Sequence, residues 1–174
     1  MKQVILIGTV HLGLTAIDEL TEEVLSHKPD RVLIEADKDG NGAQEMQLLL
    51  SWCKNNNIEY RCFDESLPAE KESGRPNPEE LESFTKEIKD KLSSVSWKDL
   101  NNRSVWESTG AETINQAFTE KFYDANKIKD RNKLIDQNIP PLLAEGINVI
   151  VTGAGHLSHL LESIPGSVAP LRSK

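Results

Sequence analysis

The feature that most constrains this chain is a set of short apolar runs without alternation. Val4-Ile5-Leu6-Ile7 closes on Gly8, and Arg31-Val32-Leu33-Ile34 is followed at once by Glu35. Tyr60 to Phe63 ends at Asp64 and Glu65, and Asn148 to Thr152 runs into Gly153. A strand with one wet face alternates apolar and polar residues, so an unbroken apolar run is dry on both faces, as in a parallel sheet covered by helices. The first three runs are separated by segments of helical spacing. One is Ile17, Leu20, Val24 and Leu25, with Thr15 placed to cap it and Pro29 to end it. The other is Met46, Leu49, Leu50 and Cys53, after a Gly40-Asn41-Gly42 turn. Strand, helix, strand, helix, strand predicts an α/β fold: a mostly parallel four-stranded sheet flanked by helices, within one domain over 1–174.

The middle of the chain has a different character. Residues 66 to about 78 are rich in Pro, Glu, Lys, Ser and Gly, which predicts a mobile surface segment. Leu81, Phe84, Ile88 and Leu92 fit one helix face, and Ile114, Phe118 and Phe122 fit another. Residues 66–125 therefore read as a linker plus a helical insert between strands three and four, placed as a lid over the sheet's edge. A further helix is expected over about 126 to 138, with Pro140-Pro141 kinking it or forcing a restart.

Charge narrows the partners. Twenty Lys and Arg against 28 Asp and Glu give a formal charge of −8, which disfavours nucleic acid and anionic membrane surfaces. Every apolar run falls far short of the roughly 20 residues that span a bilayer. Met1-Lys2-Gln3 leads straight into a strand-like stretch without the pattern of a secretory leader, so a cytoplasmic location is expected. Cys53 and Cys62 show no paired metal spacing and read as buried reduced thiols.

Two strand ends share one form: Gly8-Thr9-Val10-His11 after the first run and Gly153-Ala154-Gly155-His156 after the fourth. Right-handed crossovers lay the strands in the order third, second, first, fourth, which puts the chain reversal between strands one and four. Open α/β sheets bind ligands at such a reversal, outside the carboxyl ends of the strands. Both Gly-x-x-His turns open there, and Glu35 ends the neighbouring strand. Two imidazoles and a carboxylate can hold a divalent ion, or the carboxylate can act as base while the rings orient and polarise a substrate. One Gly-x-x-His alone carries almost no information; two of them at the reversal mark a site.

Two phosphate motifs fail. Gly153-x-Gly155-x-x-Ser158 lacks the last glycine of a dinucleotide fingerprint and the acidic residue that should follow it. Gly8 and Gly13 have the spacing of a phosphate loop, but Leu14-Thr15 replaces its Lys-Ser/Thr pair. Thr9 and Thr152 flank the glycine turns and could bond a ligand or cap backbone. Asp64 and Glu65 could cap, support the site or take part in it.

These residues resemble the TraB/PrgY/GumN family of the Tiki-like superfamily, which also holds erythromycin esterases and the haem-binding ChaN proteins. The resemblance rests on Gly8-Thr9-Val10-His11-Leu12-Gly13, the strand-end Glu35, Asp130-Arg131-Asn132 opening a helix, and Gly153-Ala154-Gly155-His156-Leu157. It is most specific over 128–164 and does not cover 66–125. It implies His11 and His156 as the paired histidines, Glu35 as their acidic partner, Arg131 as the basic residue and Asp64 as the acid after the third strand. It also implies a hydrolase that cleaves peptide or ester bonds. The Tiki-like proteases are thought to need a metal, whereas the esterases are thought to use a histidine without one. The expectation is a centre in which His11, His156 and Glu35 hold manganese, cobalt or zinc, or in which Glu35 activates water directly. Arg131 would steady the substrate or its developing charge, with Asp64 and Thr9 beside it. The competing expectation is a non-catalytic pocket for a peptide, haem or other small ligand. Self-association as a homo-oligomer is compatible with either.

Overall fold

The computed structural model describes residues 1–65, 71 and 74–173. Most of the segment read as mobile, 66–70 and 72–73, lies outside the described residues. Among them stand four strands, β1 (Lys2–Thr9), β2 (Arg31–Ile34), β3 (Tyr60–Cys62) and β4 (Gly146–Gly153). Seven α-helices accompany them: α1 (Ile17–Ser26), α2 (Gln44–Asn55), α3 (Pro78–Leu92), α4 (Arg103–Thr109), α5 (Ala111–Phe122), α6 (Ala125–Leu142) and α7 (Leu157–Ser163). Every strand pair is parallel. None of the described helices is long and apolar enough to cross a membrane.

The sheet order corrects the expected one: it runs β1-β4-β2-β3, so β4 lies between β1 and β2 rather than outside β1. The reason lies in what β4 has to satisfy. All eight of its residues pair with β1 and four pair with β2, from Arg31↔Asn148 to Ile34↔Val151, and its last six residues are buried. A strand dry on both faces gains most where both of its backbone edges are also bonded. The β1–α1–β2 crossover therefore skips one position and leaves the centre for the last strand.

The two faces divide the strand residues by parity. Ile5, Ile7, Val32, Ile34, Val149 and Val151 pack against α1, α2 and the insert. Val4, Leu6, Leu33 and Ile150 pack against Ile135 and Ile139 of α6 and Leu157 and Leu160 of α7. The uninterrupted apolar runs are thus explained by a two-layer cover.

Three local expectations change. Thr15 does not cap α1, whose N-cap is Ala16; its hydroxyl accepts from Val10 N–H at 2.8 Å and donates to Val10 C=O at 2.9 Å, closing the loop that carries His11. Pro140 and Pro141 do not force a restart, because they occupy the final turn of α6, where only the last bonds are lost. Arg131 lies inside α6 rather than at its start.

The insert forms its own layer. Asn77 and Glu80 make a capping box at the start of α3. Phe84 stacks on Phe118 with ring centres 3.9 Å apart, which ties α3 to α5. A 3-10 turn at Asp99–Asn101 joins this layer to the sheet: Asn101, 3% exposed, accepts from Gly8 N–H at 2.8 Å and donates to Gly8 C=O at 2.9 Å. Farther along the same strand, Leu6 N–H donates to Val168 C=O and Val168 N–H to Val4 C=O, so the outer edge of β1 is occupied along much of its length.

Gly8 sits where these parts meet. A Cβ there would lie 2.7 Å from Leu157 Cδ1, 2.9 Å from Ala154 Cα and 2.9 Å from Asn101 Oδ1. Backbone cannot yield as a side-chain tip can, so Gly8→Ala is expected to cost about 1–3 kcal/mol of stability through overpacking. Urea unfolding measures this, and an unchanged midpoint would show that the junction is loose.

Candidate functional site

The corrected strand order brings the site together more tightly than the expected one. With β4 beside β2, the turn after β4 stands between the turn after β1 and Glu35. The Glu35 side chain is 5% exposed and reaches across to β4. Its Oε2 accepts from Thr152 Oγ1 at 2.5 Å and from Gly153 N–H at 2.7 Å. Its Oε1 accepts from Arg131 Nη2 at 3.2 Å and lies 3.5 Å from His156 Nε2. Burial alone would raise the pKa of this carboxyl, but the bonds and charge of His156, then Thr152 and Gly153, hold it far below the usual carboxylate range.

Arg131 reaches the site from α6. Its Nη2 donates to Asp64 Oδ2 at 2.6 Å and its Nε to Asp64 Oδ1 at 3.3 Å, a two-point grip that leaves the guanidinium between two acids. Burial works against its charge, and Asp64 followed by Glu35 more than restores it, so the pKa lies above the ordinary arginine value. The result is a chain of contacts Asp64–Arg131–Glu35–His156.

His11 has a different partner, and sequence reasoning missed it. Its Nδ1 lies 2.5 Å from Glu45 Oε1, and Glu45 is 2% exposed in the first turn of α2. Thr9 Oγ1 donates to the same oxygen at 3.0 Å, while Glu45 Oε2 has no hydrogen-bond partner among the described residues. Burial pushes the His11 pKa down, but the hydrogen bond and charge of Glu45, with Glu35 behind them, outweigh it and raise the pKa above 6.5. A signal for Glu45 existed in the sequence: it continues the apolar stripe of Leu49 and Cys53 four residues upstream, and a carboxylate on a core-facing stripe needs a partner.

The backbone around His11 is held with care. Leu12 and Gly13 are both left-handed, at φ 70° and 73°, and Leu12 pays for it because its Cβ crowds the backbone there. A Cβ on Gly153 would lie 3.0 Å from His11 Nε2 and 3.7 Å from Glu35 Oε2. The glycine of the second motif thus makes room for the histidine of the first.

Both histidines face one cleft of about 490 Å³. Its lining includes His11, Gly155 and His156 from the strand-end turns and Phe84, Trp106 and Asn101 from the insert. The insert stands over the carboxyl ends of β1 and β4. Thr9 lines the cleft but spends its hydroxyl on Glu45; Arg131 and Asp64 do not line it. His159 belongs to another pair, 2.9 Å from the Asp136 carboxylate of α6.

The expected metal ligands do not form a ligand set. Both Glu35 oxygens are taken by donors, one of them a permanent guanidinium cation. His11 turns Nδ1 to Glu45, leaving only Nε2. Among the described residues no group of three or more His, Cys, Asp or Glu side chains is placed to hold a metal ion.

No family model, curated protein or solved structure matches this chain.

Proposed function

We propose that this protein is a hydrolase of amide or ester bonds, of the histidine-based, metal-independent kind found in the erythromycin-esterase branch of the Tiki-like superfamily. One observation carries the reading: two imidazoles, each backed by a buried carboxylate, face the same cleft from two like turns. A carboxylate only accepts, so the Glu45 contact keeps the proton of neutral His11 on Nδ1 and leaves the Nε2 lone pair for chemistry.

In the reaction, His11 Nε2 takes a proton from water as the water oxygen bonds to the carbonyl carbon and the carbonyl π pair moves onto its oxygen. His156, paired with Glu35, faces the developing charge and serves as the general acid, passing a proton to the departing nitrogen or oxygen as that bond breaks. The products are an acid and an amine or alcohol; the proton held by His11 passes through solvent to reset His156. Glu35 is too strongly held as a carboxylate to serve as the base, and its role is to fix and polarise His156. Arg131 and Asp64 act through Glu35.

The pH profile tests this. His11 must be neutral to act, so activity should rise with pH through its raised pKa, placing the acidic limb above 6.5. Glu45→Gln removes the charge that raises it, so the limb should move to lower pH while kcat falls about tenfold to a hundredfold. The measurement is hydrolysis of a panel of p-nitrophenyl esters and acyl p-nitroanilides across about pH 5 to 9. A limb that stays in place in Glu45→Gln excludes the His11–Glu45 pair as the base.

A further inference from the structure

The cleft is uneven in charge, and one of its cations is unaccounted for. The insert's wall is apolar at Phe84, Ile88, Leu100 and Trp106. Arg103 lines that side too, but its guanidinium is occupied by Glu107 at 2.9 Å and Glu112 at 3.4 Å. Arg172 lines the same cleft from the 3-10 turn Pro170–Ser173, and its side chain has no hydrogen bond or carboxylate partner among the described residues. Its backbone is nevertheless well anchored. Leu171 is 3% exposed in the core, Arg172 N–H donates to Ala169 C=O at 3.0 Å, and Val168 is bonded to β1 on both sides.

We infer that the Arg172 guanidinium is an anion-binding subsite of this cleft, and that the substrate is an amide or ester with an apolar body and a carboxylate group. This deepens the hydrolytic reading and rests on it for the reaction, though not for the binding. A cleft of this size takes a small molecule and buries most of its apolar part. A half-buried guanidinium with no acid beside it among the described residues, in a chain with eight more acids than bases, offers the charge that a carboxylate needs. Acylated amino acids and short peptides with a free carboxyl end have this chemistry: the carboxylate meets Arg172, the hydrocarbon lies along Phe84 and Trp106, and the acyl carbonyl is left for His11.

The test compares N-octanoylphenylalanine with its neutral carboxamide. Binding to the wild type and to Arg172→Gln and Arg172→Lys is measured by calorimetry, and hydrolysis of both compounds is followed by amine release. Wild type should bind the carboxylate about tenfold more tightly than the carboxamide, Arg172→Lys should keep part of that preference, and Arg172→Gln should bring the ratio close to one. A preference that survives Arg172→Gln, or no binding of either compound to the wild type, overturns the subsite. Arg172-dependent binding with no hydrolysis of this pair or of the ester and anilide panel upholds the subsite and overturns the hydrolytic reading. Hydrolysis with equal use of both compounds does the reverse.

Discussion

Glu35→Ala is expected to lower the unfolding free energy by about 3 kcal/mol or more, read as a large fall in the urea midpoint at neutral pH. The cost comes from what is left behind. Thr152 is fully buried, and with Gly153 N–H it would lose its acceptor in the interior, while Arg131 would keep only Asp64. Glu35→Gln keeps the shape and one acceptor oxygen, so it should cost less. The same pair of variants has a pH signature. Glu35 has a folded-state pKa below its unfolded value of 4.5, so its contribution is present above 4.5 and is lost as pH falls through the depressed folded value. Wild type should therefore lose stability on acidification below 4.5 more steeply than Glu35→Gln. Equal midpoints for wild type and Glu35→Ala would mean that the Asp64–Arg131–Glu35 chain holds nothing together.

His11→Ala is expected to reduce kcat/KM for any substrate the protein hydrolyses by about 10² to 10⁴-fold, the range of a lost general base. The ring is 45% exposed, so the protein should still fold, at a stability cost of about 1–3 kcal/mol because buried Glu45 keeps only Thr9 as a partner. Circular dichroism and the urea midpoint verify that the variant stays folded under the assay conditions, so that the loss is chemical and not a consequence of unfolding. His156→Ala should also impair turnover, mainly with poor leaving groups such as amines, which need a proton as they depart; activated nitrophenyl esters should be affected less. Full activity in His11→Ala would place the chemistry elsewhere.

The two variants probe parts of the site that were legible to different degrees. Glu35, His11 and His156 stand at the ends of apolar runs, and a run that must be buried on both faces announces its strand and hence the end where its last residues emerge. Glu45 gave a weaker signal, a single acid on a helical stripe, and it became meaningful only when α2 was seen to bring it to within 2.5 Å of His11. Asn101 gave none. Its two bonds to Gly8 join residues 93 apart in sequence, and nothing in an Asp-Leu-Asn-Asn stretch says which strand it will meet.

By itself the sequence determined the local physics: which runs are strands, that the sheet is parallel and covered on both faces, and that two Gly-x-x-His turns end two of its strands. Those features depend on residue spacing and on the need to bury apolar surface, both of which are written along the chain. Tertiary structure alone decided the neighbours. It placed β4 inside the sheet, where β1 and β2 bond both of its backbone edges, instead of at the sheet's edge. That choice put Glu35 against Thr152 and Gly153, gave His11 to Glu45, and set the insert opposite both histidines to form a cleft. Which acid serves which imidazole depends on packing between distant segments, and no local pattern carries that information.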